Sequence, residues 1–240
     1  TVDAESLGGT LSSDATVCSG TNSGTLTLNG QTGSIVRWEK STNNWLSKTD
    51  INNNLASQDY TNLTATTKYR AILKSGVCSE AISTEVTINV DAKSVGGTLS
   101  SNATVCSGTN SGTLTLTGST GSIIRWQKTT STWSNKTNIV NTTKSQDYSN
   151  LTETTKYRAI LKSGVCSRAF PNVINITVDT PSVGGVLSSD ATVCSGTNSG
   201  TLTLSGQTGN VVRWEKSTDN WVSKTNINNN LLSQDYTNLT

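Results

Sequence analysis

The apolar positions of this chain recur at every second residue over short stretches. Leu26 and Leu28 alternate with threonines. Tyr69, Ala71 and Leu73 alternate with Lys68, Arg70 and Lys74. Val86, Ile88 and Val90 alternate with Thr87 and Asn89. A period of two lines one face of a strand and leaves the other face polar. Between these runs lie clusters of turn residues at 18–24, 29–33, 41–44 and 75–76, where Gly, Asn and Ser supply the backbone freedom that turns require. The pattern predicts a first strand over residues 8–17, broken at Ser12, Ser13 and Asp14, and a strand over 25–28. A strand over 35–40 follows with Val36 and Trp38 inward, then a short edge segment at Trp45 and Leu46. Strands over 56–60, 69–74 and 85–90 complete the set. No stretch carries the 3.6-residue period of an amphipathic helix. About seven short strands separated by turns predict an all-β fold, an antiparallel β-sandwich.

The same pattern then returns. Gly8, Cys18 and Trp38 recur as Gly96, Cys106 and Trp126, and again as Gly184, Cys194 and Trp214. The step is constant (96 − 8 = 88), too long for a helical solenoid unit and suited to one small sandwich. Residues 1–6 match 89–94, the end of a repeat. The expected organisation is therefore the end of a preceding repeat at 1–5, repeats at 6–93 and 94–181, and a truncated third repeat at 182–240. The third stops before the strands that would match 69–74 and 85–90. Leu202, Leu204, Val212 and Trp214 are then expected to face water unless strands from a continuing or neighbouring chain cover them.

Composition sharpens this picture. The chain is rich in Thr, Ser, Asn and Gly, has no His or Met, is only 14% charged and carries a net charge of +2. That balance points to neither nucleic acid nor an acidic membrane as partner. No apolar run is long enough for a transmembrane helix. Without His, a Ser-His-Asp or Cys-His site cannot be assembled, and no paired carboxylates, phosphate loop or metal cluster recurs. No catalytic residue, metal site or cofactor is expected.

Leu63, Thr67 and Tyr69, repeated as Leu151, Thr155 and Tyr157, resemble the tyrosine corner of fibronectin type III and immunoglobulin-like sandwiches. There the Tyr hydroxyl bonds back to the backbone and pins the crossing between sheets. Trp38 lies between two cysteines, as in immunoglobulin domains. Cys78, nine residues after Tyr69, departs from the antibody pattern, so the usual bridge through the core is not implied. Residues 17–20 (VCSG), 36–39 (VRWE) and 63–78 together make each repeat similar to the immunoglobulin-like repeats of giant cell-surface adhesins of gliding bacteria that use type IX secretion. This resemblance spans the whole chain. It implies export, an extracellular or cell-surface location, and a stalk or filament whose partners are neighbouring repeats or other copies.

The five cysteines are Cys18, Cys78, Cys106, Cys166 and Cys194. The spacing within a repeat is 60 in both complete cases (78 − 18 and 166 − 106). It predicts disulfides Cys18–Cys78 and Cys106–Cys166, with the partner of Cys194 outside the chain. Closing a loop of that size stabilises a domain by roughly 4 kcal/mol in the chain-entropy model.

The remaining candidates are modest. Trp38, Trp126 and Trp214 read as core. Trp45, Trp133 and Trp221 follow polar turns and are candidates for stacking on a sugar ring of a surface polysaccharide, against the plainer reading of packing on the sheet edge. Asp59 reads as a local hydrogen-bond acceptor. Arg37 and Glu39 share a strand face and read as a solvated pair. Asn-x-Ser/Thr occurs at Asn62, Asn102, Asn135, Asn141, Asn150, Asn175 and Asn238; these would be glycan sites in a secreted eukaryotic chain, against the plainer reading of chance in so Asn- and Thr-rich a chain. The short joins at 91–94 and 179–182 restrict hinge motion and predict repeats strung end to end.

Overall fold

The computed structural model describes residues 2–188 and 190–240; Thr1, part of the expected tail, lies outside them. The first repeat forms nine strand segments: β1 (Thr10–Leu11), β2 (Ala15–Cys18), β3 (Ser23–Asn29), β4 (Ser34–Ser41), β5 (Thr49–Ile51), β6 (Ser57–Thr61), β7 (Thr67–Lys74), β8 (Ala81–Ile82) and β9 (Val86–Asp91). They make two sheets. One has the order β1-β3-β6, the other β2-β9-β7-β4-β5 with β8 beside β7.

The predicted break at residues 12–14 is where the chain changes sheet. β1 pairs with β3, while β2 runs parallel to β9 with Cys18 opposite Asp91. This parallel pair is the exception in an otherwise antiparallel sandwich. Leu11, Leu26, Leu28, Ile35, Trp38, Tyr69, Ala71, Leu73, Val86 and Ile88 fill the space between the sheets. The indole N–H of Trp38, fully buried, donates to the carbonyl of Leu55 at 3.0 Å, so its polar atom carries no desolvation penalty.

Two expectations need correction. Val36 is 43% exposed and Ile35 is the inward residue. A bulge between Ile35 and Arg37 in the β4–β7 ladder shifts the alternation by one. Trp45 and Leu46 form no strand. They lie in a turn in which Asn44 and Trp45 adopt φ of 54° and 66°.

The chain divides into two compact units. One holds residues up to 102 with 112–148 and 155–175; the other holds 103–111, 149–154 and 176–240. The first unit repeats the core just described, with Leu99, Leu114, Leu116, Ile123, Trp126, Tyr157, Ala159 and Leu161 buried. Ser122–Thr129 pairs with Thr155–Lys162 and bulges at the same place, between Ile123 and Arg125.

In the second unit residues 103–106 run parallel to residues 176–179, with Cys106 opposite Asp179. The third repeat contributes Val186–Leu187, Ser199–Ser205 and Ser233–Thr237 as one sheet, and Trp214–Lys216 with Thr225–Ile227 as another. Its core face is uneven. Leu187 is 51% exposed where its counterparts Leu11 and Leu99 are 7% and 3%. Leu202 and Leu204 are half-buried and Trp214 stays buried at 8%, while Val212, at the position of the outward Val36, is exposed. Its indole N–H reaches the carbonyl of Leu231 at 3.0 Å.

Candidate functional site

The residues that join the first two repeats form the most constructed feature of the first unit. Parallel pairing carries β2 alongside β9, so Cys18 sits beside Asp91, and the Ser19 amide donates to the Asp91 carbonyl at 2.9 Å. The carboxylate of Asp91 accepts the amide of Val165 at 2.9 Å, from the turn that follows Thr155–Lys162. Gly164 in that turn has φ of 45°, and a Cβ there would collide with the Asp91 carboxylate, so glycine is required twice over. Ser94 Oγ accepts the Ser163 amide at 2.9 Å. One aspartate thus holds the end of one repeat and the turn of the next.

Held this way, Cys18 and Cys166 form a disulfide with Cα atoms 4.9 Å apart. This corrects the expected pairing: Cys18 bonds to Cys166 rather than Cys78, and Cys106 does not bond to Cys166. Cys78, Cys106 and Cys194 are free thiols. The reason lies in strand direction. Cys18 aligns with Asp91 at the far end of β9, while β7 runs antiparallel to β9 and carries the chain away from that end before Cys78. At ~3.4 Å per residue the two cysteines of one repeat end roughly 30 Å apart, far beyond the ~7 Å Cα separation that a disulfide spans. Spacing alone is ambiguous, since an 88-residue period makes partners at 60 and 148 register-equivalent.

A second cluster surrounds Glu39. This carboxylate is fully buried, not solvated as expected of the Arg37–Glu39 pair. It accepts Arg37 Nε at 3.0 Å and Arg70 Nε at 2.8 Å, and also pairs with Lys48. Burial pushes its pKa up, but the hydrogen bonds from Lys48, Arg70 and Arg37 outweigh burial and hold it below the usual carboxylate value. In the second repeat Gln127 replaces Glu39. It accepts Arg158 Nε at 2.9 Å and donates to Asn138 at 2.8 Å. Arg125, the counterpart of Arg37, is left with a buried Nε lacking a partner.

The same arginines cover the candidate sugar-stacking rings. Arg70 lies 4.0 Å above the ring of Trp45, and Arg158 lies 4.0 Å above Trp133 and 5.0 Å from Phe170. The Trp45 indole N–H lies beside Glu85, too loosely for a full hydrogen bond. That indole first, then Lys68, keeps the Glu85 carboxyl below its ordinary pKa. Trp221 is 63% exposed. Trp45, Trp133 and Trp221 therefore do not share one environment.

At the corner, Tyr69 and Tyr157 are each 2% exposed, Leu151 is buried, and Leu63 packs against the core. The hydrogen bonds that tie it come from Asn22, a residue that the sequence marks only as turn chemistry. Its amide donates to the carbonyls of Cys18 and Leu63, both at 2.8 Å, and its Oδ1 accepts the Leu63 amide at 3.0 Å. Asn110 and Asn198 repeat all three bonds. The recurrence of one Asn four residues after each first cysteine is the signal that could have found it.

Asp59 bonds across strands to Thr25 Oγ1 at 2.6 Å, as Asp147 and Asp235 do to Thr113 and Thr201. Tyr60 lies over Gly24, which has no room for a Cβ beneath the ring. Asn62, Asn150 and Asn238 all have φ of 52°, a left-handed turn that asparagine tolerates. Among the described residues no group of His, Cys, Asp and Glu could hold a metal ion, and no helix is long and apolar enough to cross a membrane.

Comparison with solved structures agrees with the architecture. A three-domain I-band fragment of titin, I67–I69, matches all of this chain and 90% of its own length at 13% identity with a TM-score of 0.54. The chicken contactin-1 fibronectin domains FN1–FN3 match over 99% of this chain and 89% of theirs at 13% identity, with a TM-score of 0.37 too low to weigh. At such identities the likeness concerns fold alone. No curated protein matches the sequence. One family model matches three times, over residues 7–92, 95–180 and 183–240. The chain is thus a tandem array of β-sandwich domains with an immunoglobulin-like fold, and it belongs to the family described as "Domain of unknown function (DUF8696)".

Proposed function

We propose that this chain is a segment of a stalk or filament of tandem immunoglobulin-like domains in a large bacterial surface adhesin or extracellular fibre. The observation that carries the reading is the Cys18–Cys166 bond, which ties residues of adjacent repeats across a join whose own Asp91 and Ser94 are hydrogen-bonded to the following repeat. A stalk must resist extension and bending at its joins, and a covalent tie there serves that need. A disulfide also suits an oxidising, extracellular setting. Sandwich folds of this kind are generally structural or binding modules. The bacterial and adhesin parts of the reading rest on the sequence resemblance.

Pulling single molecules from both ends tests the stalk. In the oxidised chain the bond carries the load past the residues it encloses, and the reduced chain should unfold at discrete force peaks. Reduction should release the 148 residues enclosed by the bond, adding about 500 Å of contour length at ~3.4 Å per residue. Smooth extension of the reduced chain without force peaks, or reduction that adds no contour length, would reject a load-bearing role. A glycan array probed with Trp45→Ala, Trp133→Ala and Trp221→Ala variants tests the rival reading, a carbohydrate-binding array acting by avidity.

A further inference from the structure

Two of the three free cysteines stand where the two bonded ones stand. Cys106 stands where Cys18 stands. It lies opposite Asp179 in a parallel pair, the Ser107 amide donates to the Asp179 carbonyl at 2.9 Å, and Asn110 holds its carbonyl at 2.7 Å. Cys18 has the same three relations with Asp91, Ser19 and Asn22.

Cys78 stands where Cys166 stands. Its Sγ is 4.0 and 3.4 Å from the carbonyl oxygens of Asp3 and Ala4, against 3.7 and 3.3 Å from Asp91 and Ala92 for Cys166. The Asp3 carboxylate accepts the Val77 amide at 3.1 Å, and Ser6 Oγ accepts the Ser75 amide at 2.9 Å. Gly76 has φ of 49°, and a Cβ there would meet the Asp3 carboxylate. Each half of the Cys18–Cys166 rung is therefore present a second time, fully built and unbonded.

We infer that the cysteines form a staggered ladder, in which the first cysteine of every repeat bonds to the second cysteine of the following repeat. Cys106 is the acceptor site for the second cysteine of a completed third repeat, and Cys78 is the acceptor site for the first cysteine of a preceding one. The partner in each case is another copy of this repeat. The aspartate of the join (Asp3, Asp91 or Asp179) is the template, because it pairs with the first cysteine's strand and caps the second cysteine's turn.

Each rung forms by thiol–disulfide exchange with a small-molecule disulfide such as oxidised glutathione. One cysteine thiolate attacks it and releases a glutathione thiol. The second cysteine thiolate then displaces the other glutathione. Two cysteine thiols are oxidised, one glutathione disulfide is reduced to two thiols, and the protons pass to the released glutathione. The ladder stands apart from the stalk reading, since a glycan-binding array would carry the same rungs.

The test extends the full chain. Residues 153–179 are appended after Thr240, which continues the repeat in register and gives the third repeat a second cysteine. The chain is refolded in a glutathione redox buffer, alkylated and mapped by mass spectrometry without reduction. The added cysteine should be found bonded to Cys106, beside the Cys18–Cys166 rung, with Cys78 and Cys194 alkylated. In a Cys194→Ser variant, which removes the within-repeat alternative, the bond to Cys106 should form in the same yield. A bond to Cys194, or an added cysteine that stays free while Cys18–Cys166 forms, overturns the ladder.

Discussion

At the scale of residues, the corner and the buried cluster carry the most. Asn22 makes three hydrogen bonds that bridge the Cys18 turn and the Leu63 corner. Asn22→Ala would leave the Leu63 amide and two carbonyls without it, at about 1–3 kcal/mol. Urea unfolding should show a clear fall in midpoint, and Asn110→Ala should reproduce it. Glu39 gives a pH signature. Its folded pKa lies below the unfolded one, so its stabilisation is present above the ordinary carboxylate pKa and is lost as pH falls through the folded value. Glu39→Gln should therefore flatten the acid limb of the stability curve below about pH 4.5. The second repeat, with Gln127 in that place, should lack this limb already. Domain-resolved hydrogen exchange at several pH values would separate the two.

At the scale of elements, the strands that close a repeat decide its order. In the first repeat β7 and β9 bring Tyr69, Ala71, Leu73, Val86 and Ile88 against the opposite sheet. Among the described residues the third repeat has no strands in those places, and Leu187 is 51% exposed where Leu11 is 7%, while Leu202 and Leu204 are half-buried where Leu26 and Leu28 are buried. A groove of about 480 Å³ opens there, lined by Leu187, Leu204, Val212, Trp214 and Trp221. Supplying the missing strands should close it. In the chain extended by residues 153–179, amide protection at Leu187 and Leu204 should rise to the level of Leu11 and Leu28. Protection that stays low would show that the apolar face is not an incomplete core.

At the scale of the molecule, the bond between Cys18 and Cys166 encloses 148 residues. In the chain-entropy model such a loop removes enough unfolded-state freedom for about 5 kcal/mol. Changing both cysteines to serine should lower the thermal midpoint of the first two repeats together. Far-UV circular dichroism at low temperature should be unaltered, since each sandwich keeps its own core. Loss of the folded spectrum would mean that the bond is needed to form the repeats rather than to link them.

The repeat, its period and the all-β sandwich are legible along the chain. Those follow from local alternation, from turn residues and from identity at fixed spacing, all of which are written along one dimension. The break at 12–14, the inward Leu26 and Leu28, and the buried Trp38 were legible for the same reason. The rest depends on which strands meet and in which direction. The β4 bulge moved Val36 out and Ile35 in, because an extra residue changes phase without changing composition. Glu39 was buried because three cations from β4, β7 and the turn before β5 converge on it. The disulfide crossed to the next repeat because β2 is parallel to β9 while β7 is antiparallel to it. In a strictly periodic sequence every cysteine has equivalent partners one period apart, and only the fold distinguishes them.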